Sequence, residues 1–215
     1  MKLTHITVVS MFTLALAACG GSSEPAASGD KAPAEGADKG DGAKEADAAP
    51  AVEVPKLTIN EADWVEKDLK EVSPMINVTV KAPKDAAFEK NGNGGVDIKI
   101  APHYMITVGN LAVSSVKEGI EWGESSSIGN SSYKDGKKIV DEDAGFVFTY
   151  QMNDEDNGIK YAPESHWYFF VEKDGAIYSF HDDKPMDAFS TPPQAYTEDD
   201  AKKVYEIVKG SAKAN

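Results

Sequence analysis

Asp174-Gly175 stands between two runs rich in aromatic and aliphatic residues, Trp167–Val171 and Ala176–Phe180. An Asp-Gly pair in that setting is a strong hairpin signal, because both turn residues take positive φ, which Gly adopts freely and Asp tolerates. A two-residue turn also fixes register. Phe169 must lie opposite Phe180, Tyr168 opposite His181, and His166 opposite Asp183. Since successive strand side chains point to opposite faces, Trp167, Phe169, Val171, Tyr178 and Phe180 share one face as a core. His166, Tyr168, His181 and Asp183 share the other, which the spacing predicts to be the polar face.

Further alternation supports an antiparallel sheet. Ile76, Val78 and Val80 alternate with polar neighbours, as do Val96, Ile98 and Ile100, while Phe146, Phe148, Tyr150 and Met152 alternate with Val147, Thr149 and Gln151. The second run resumes through Met105–Val108 after Pro102, so that proline marks a bulge or an edge. Three segments read as helices. Asn60 is placed to cap one carrying Trp64, Val65, Leu69 and Val72, ended near Ser73-Pro74. Asn110 precedes a second with Leu111, Ala112, Val113, Val116 and Ile120 on one stripe. Thr197-Glu198-Asp199-Asp200 opens a third, with Ala201, Val204, Ile207 and Val208 inward and Lys209-Gly210 at its end. Alternating strands joined partly by hairpins, with striped helices to cover them, predict an α+β domain built on an antiparallel sheet. The order of elements from 57 to 210 resembles the Mog1/PsbP-like sandwich. That resemblance implies a fold and carries over no functional residue.

The chain ahead of this domain is of a different kind. Residues 20–55 are Ala, Gly, Pro, Ser, Asp, Glu and Lys, with no aromatic residue and only Val52 and Val54 as larger aliphatics. Such a stretch cannot bury enough apolar area to offset its ordering entropy, and its composition predicts a disordered acidic tether. As a flexible coil its root-mean-square reach is on the order of 30 Å.

Residues 1–18 begin Met1-Lys2 and continue through an apolar stretch too short to span a bilayer but suited to a secretory leader. They end Leu16-Ala17-Ala18, followed by Cys19-Gly20, and Cys19 is the chain's one cysteine. This pattern resembles the lipobox of bacterial lipoproteins. The resemblance implies cleavage before Cys19, acylation of its thiol and anchoring by two or three acyl chains. Anchoring of that kind is stable where a single chain is not. Gly20 in place of Asp implies, by the same resemblance, the outer membrane. The expected organisation is a signal peptide over 1–18, a lipidated cysteine and tether over 19–55, and one α+β domain over 56–215.

Charge and cysteine count narrow the function. With 22 Lys+Arg against 36 Asp+Glu the net charge is −14, so the chain repels phosphate backbones, and nucleic-acid binding is not expected. A single cysteine excludes a disulfide framework and a cysteine-based zinc knuckle.

Few residues then suggest chemistry. His166, His181 and Asp183 gather at one end of the predicted hairpin, at a spacing suited to a divalent metal or to acid–base work. The acidic run Asn153–Gly158 enters the same end and adds Asp154 and Asp156 as oxygen ligands. With Glu164 at its twelfth position that run superficially matches a calcium loop. Asn153 at its first position, Lys160 at its eighth and flanking strands instead of helices break the match. Gly92-Asn93-Gly94-Gly95 precedes a strand rather than opening a helix, so it reads as a turn and not a phosphate cradle. Gly123–Ser127 lacks the second glycine of a nucleophile elbow.

Two readings remain. One is a lipid-anchored envelope module, without catalytic activity or cofactor, that meets the membrane through its acyl chains and binds an envelope protein or a small ligand. The other is a metal-binding or metal-dependent envelope protein that uses the His166/His181/Asp183 end.

Overall fold

The computed structural model describes residues 57–152, 163–183 and 197–215. The elements in chain order are β1 (Trp64–Asp68), β2 (Val78–Pro83), β3 (Ala87–Lys90), β4 (Val96–Ala101), β5 (Tyr104–Leu111), α1 (Val116–Ser126), β6 (Tyr133–Glu142), β7 (Gly145–Met152), β8 (Glu164–Lys173), β9 (Ala176–Asp183), α2 (Glu198–Ser211) and β10 (Lys213–Ala214). The order α+β with a largely antiparallel sheet is the one the alternation predicts. Among the described residues no helix is long and apolar enough to cross a membrane.

The hairpin is built as its turn chemistry requires. Asp174 and Gly175 have φ of 52° and 79°, and the ladder runs from Lys173↔Ala176 through Phe169↔Phe180 to Tyr168↔His181. Around it a seven-stranded sheet assembles in the order β3-β4-β5-β9-β8-β7-β6, and a smaller sheet has the order β1-β2-β10. Every pairing in both sheets is antiparallel.

Alternation then sorts side chains into two cores. On one face Val96, Ile98, Ile106, Val108, Val147, Trp167, Phe169, Tyr178 and Phe180 meet Ala201, Val204, Tyr205 and Val208 of α2, together with Trp64, Val78 and Val80 of the small sheet. Burial of each large apolar side chain contributes about 1.5–3 kcal/mol. Trp167 is fully buried, and its indole N–H donates to the Tyr104 hydroxyl at 2.9 Å, so its polar edge is satisfied.

On the opposite face Phe146, Phe148, Phe170 and Ile177 pack with Val116 and Ile120 of α1 and with Tyr150 and Tyr168. Over β7 and β8 the second face is therefore aromatic, which corrects the expectation of a polar one. The alternation of Phe146, Phe148 and Tyr150 on β7 brings a second apolar surface to β8, and one strand cannot reveal what its neighbour supplies.

Two glycines let α1 approach this closely. A Cβ at Gly119 would lie 3.0 Å from the Phe170 ring, and one at Gly123 would lie 3.2 Å from Phe146 and 3.3 Å from Tyr168. Gly123→Val is expected to lift the helix and cost about 1–3 kcal/mol, read from the urea unfolding midpoint.

Two helix expectations are revised. Residues 60–72 form two 3-10 turns, Glu61–Asp63 and Leu69–Glu71, on either side of β1. Trp64 and Leu69 are buried, but Val65 is 39% exposed, so the apolar residues make no continuous stripe. The β2 edge supplies backbone partners from Trp64↔Pro83 to Asp68↔Thr79. The Asn60 amide donates to the Asp63 carboxylate at 2.7 Å instead of capping a helix.

The second helix starts later than its apolar pattern suggests. Asn110 and Leu111 end β5, opposite Tyr178 and Ile177. Ser115 is the cap, its Oγ accepting from the Glu118 N–H at 3.2 Å while the Glu118 carboxylate accepts from the Ser114 N–H at 2.7 Å. Leu111 and Val113 lie against the same core as α1, which is why they continued its stripe. The third helix is capped by Thr197 as expected, its side chain accepting from the Asp200 N–H. It runs through Gly210 to Ser211 before β10 joins β2.

Pro102 sits with His103 in the turn between Ala101 and Tyr104, beside a register shift at Lys99/Ala101. Strands β3 and β6 were not foreseen. They are the two edges of the large sheet, and β6 carries two register breaks and Asp135 at φ 56°. Charged, bulged edge strands lack the alternation that identifies half-buried ones.

Candidate functional site

The β8–β9 ladder stops at Tyr168↔His181. Beyond that pair β8 continues against β7, and β9 continues against β5. The strands fork, and the Asp182 carboxylate enters the fork. Its Oδ1 accepts from the Trp167 backbone N–H at 3.0 Å, and its Oδ2 lies 2.9 Å from His166 Nδ1. The other ring nitrogen, Nε2, lies 3.2 Å from Glu164 Oε2. The side chains of His166, Glu164 and Asp182 are 10%, 4% and 1% exposed. The imidazole stacks on Tyr150 at 5.0 Å between centroids, and Tyr150 stacks on Tyr133 at 4.0 Å.

A carboxylate accepts hydrogen bonds and does not donate them, so an imidazole facing one at each nitrogen is held as imidazolium. Burial alone disfavours that cation, but the charges and hydrogen bonds of Asp182 and Glu164 outweigh it and raise His166 to about 9. Burial also raises the Tyr150 hydroxyl, and the neighbouring Tyr133, Glu164 and Asp182 raise it further. Burial likewise pushes Tyr168 up to about 12, against a lowering hydrogen bond from Ser126. The cluster is therefore a buried ion network that ties β8 to β9 where their backbone ladder ends.

The residues expected to bind metal are distributed differently. His166 meets Asp182, not the expected Asp183, because past Tyr168↔His181 the strands no longer pair and the earlier carboxylate fills the gap. Asp183 lies opposite Met105 on β5. His181 is on the same face as His166 but turns to the Tyr168 ring, 5.2 Å away, and its Nδ1 lies 3.2 Å from the Asp182 carbonyl. Asp154, Asp156 and Cys19 lie outside the described residues.

Among the described residues no group of three or more His, Cys, Asp or Glu side chains is placed to hold a metal ion. Glu164 and Asp182 are the members that sequence reasoning missed. Their signal was the Glu-x-His alternation on β8 and the second acid of Asp182-Asp183. A separate cleft of about 450 Å³ lies beside α1, lined by Glu121, Glu124, Ser125, Ile128, Gly129 and Gly136. Its carboxylates pair with the chain's own lysines, Glu124 with Lys138 and Glu121 with Lys117.

No protein-family model matches the chain, and no curated protein does. Among solved structures it is similar to the solution structure of cyanobacterial PsbP (CyanoP) from Synechocystis sp. PCC 6803, at 9% identity, covering 78% of this chain and 100% of that one with a TM-score of 0.38.

Proposed function

We propose that the chain is a lipid-anchored binding or structural module of the bacterial cell envelope, without catalytic activity. The observation that carries the reading is Leu16-Ala17-Ala18-Cys19, with the chain's one cysteine at the acyl-acceptor position. The acidic Ala/Gly/Pro stretch that follows would hold the domain clear of the lipid surface. The ionisable cluster of the domain supports the same reading, because its members are almost fully buried.

Fractionation of envelopes tests this. The wild-type chain is expected in the outer-membrane fraction and released by detergent, and Cys19→Ser is expected in the soluble fraction. A Cys19→Ser chain that stays with the membrane would overturn the anchor. Equilibrium dialysis against zinc and calcium addresses the metal role of His166, His181, Asp183, Asp154 and Asp156. The expected outcome is no binding tighter than about 100 µM.

A further inference from the structure

Residues 91–95 join β3 to β4 and hold two Asn-Gly pairs, Asn91-Gly92 and Asn93-Gly94. Such a pair is chemically reactive, because glycine carries no side chain to shield its backbone nitrogen from the asparagine amide. In sequence the two pairs are alike, and the fold makes them different. Asn91 Oδ1 accepts from the Asn93 and Gly95 backbone N–H groups at 3.1 and 2.8 Å, and Asn91 Nδ2 donates to Asp97 Oδ1 at 3.0 Å. Both ends of that amide are engaged, so its carbon cannot swing onto Gly92 N without giving up these bonds.

Asn93 is exposed, and among the described residues its side-chain amide makes no hydrogen bond. The nitrogen that follows it, Gly94 N, gives one bond, to the Asn91 main-chain carbonyl at 3.1 Å. The fold also requires glycine at that position. Gly94 has φ of 82°, where a side chain is strained, and a Cβ there would lie 2.7 Å from the Met75 sulfur.

We propose that Asn93 is a site of spontaneous deamidation and that the turn shields Asn91 from the same reaction. Gly94 N attacks Asn93 Cγ. The N–Cγ bond forms, the Cγ–Nδ2 bond breaks, and the amide nitrogen leaves as ammonia with the proton that Gly94 N gave up. Water then opens the cyclic imide at either carbonyl, which yields aspartate or isoaspartate at 93. Isoaspartate lengthens the main chain by one methylene just before Gly94, whose carbonyl accepts from the Ser73 hydroxyl at 2.6 Å. The modification therefore acts where the β3–β4 turn is tied to the segment ahead of β2. The inference rests on neither the lipid anchor nor the binding reading.

The test ages the full chain in detergent at mildly alkaline pH and follows the tryptic peptide of residues 91–99 by mass spectrometry. Fragment ions locate the exchange of amide for acid at Asn91 or Asn93. In the folded chain Asn93 is expected to react at least about tenfold faster, the ratio that two additional hydrogen bonds on Asn91 supply. In concentrated urea the two rates are expected to converge. A Cβ at Gly92 would meet nothing within 4 Å, so Gly92→Ala is expected to fold and to leave the Asn93 rate unchanged. Four results overturn the proposal: Asn91 reacting as fast as Asn93 in the folded chain, neither reacting while the unfolded chain does, loss of the reaction in Gly92→Ala, or the same preference for Asn93 in urea. The last would assign the preference to neighbouring residues and not to the fold.

Discussion

His166→Ala is expected to destabilise the domain by about 3–5 kcal/mol in urea unfolding, because it removes one partner of a buried ion network and leaves the others charged. Glu164 and Asp182 are 4% and 1% exposed, and the imidazolium lies between them, 3.2 Å from Glu164 Oε2 and 2.9 Å from Asp182 Oδ2. Read from sequence alone, with His166 on a polar face, this substitution would cost little. A measured cost below about 1 kcal/mol would restore that view and dissolve the network.

The same group sets a pH dependence. Its folded-state value is raised, to about 9 from an ordinary 6.5, so its contribution is complete below pH 6.5 and is lost as pH rises toward and through 9. The loss is on the order of 3 kcal/mol. It precedes the ionisation of the raised tyrosines, whose unfolded-state values lie near 10. Unfolding free energies measured from pH 6 to 9.5 are expected to fall in the wild type and stay flat in His166→Gln.

Phe180→Ala is expected to cost about 3–5 kcal/mol. Phe180 is fully buried, lies opposite Phe169 in the ladder, and its ring is 6.2 Å from the Phe169 ring. Truncation opens a cavity where the β8–β9 hairpin meets α2, and flanking strands on both sides keep the sheet from collapsing into it. Chemical denaturation of Phe180→Ala beside the neighbouring half-exposed His181→Ala reads the face assignment directly. A mild Phe180→Ala and a severe His181→Ala would reverse it.

These two residues mark what a sequence can and cannot disclose. Phe180 was legible because a two-residue turn fixes register and register fixes faces. The environment of His166 was not. It depends on where the β8–β9 ladder stops, and that is decided by β5 and β7 drawing the strands apart. Asp182 falls on the core-facing side by alternation and reaches His166 only because the fork lets its carboxylate replace a strand partner. Trp64 and Asn110 show the same limit from another side. Their apolar neighbours fit a helical stripe, but β2 and β9 offered backbone partners that local spacing cannot register.

The anchor is the claim on which the functional reading stands, and metabolic labelling with a fatty acid tests it most directly. The wild-type chain should carry the label, with the mass of its N-terminal peptide showing cleavage before Cys19 and acyl chains on that residue, and Cys19→Ser should carry none. Label that survives Cys19→Ser, or a mature chain that begins elsewhere with an unmodified thiol, would contradict it.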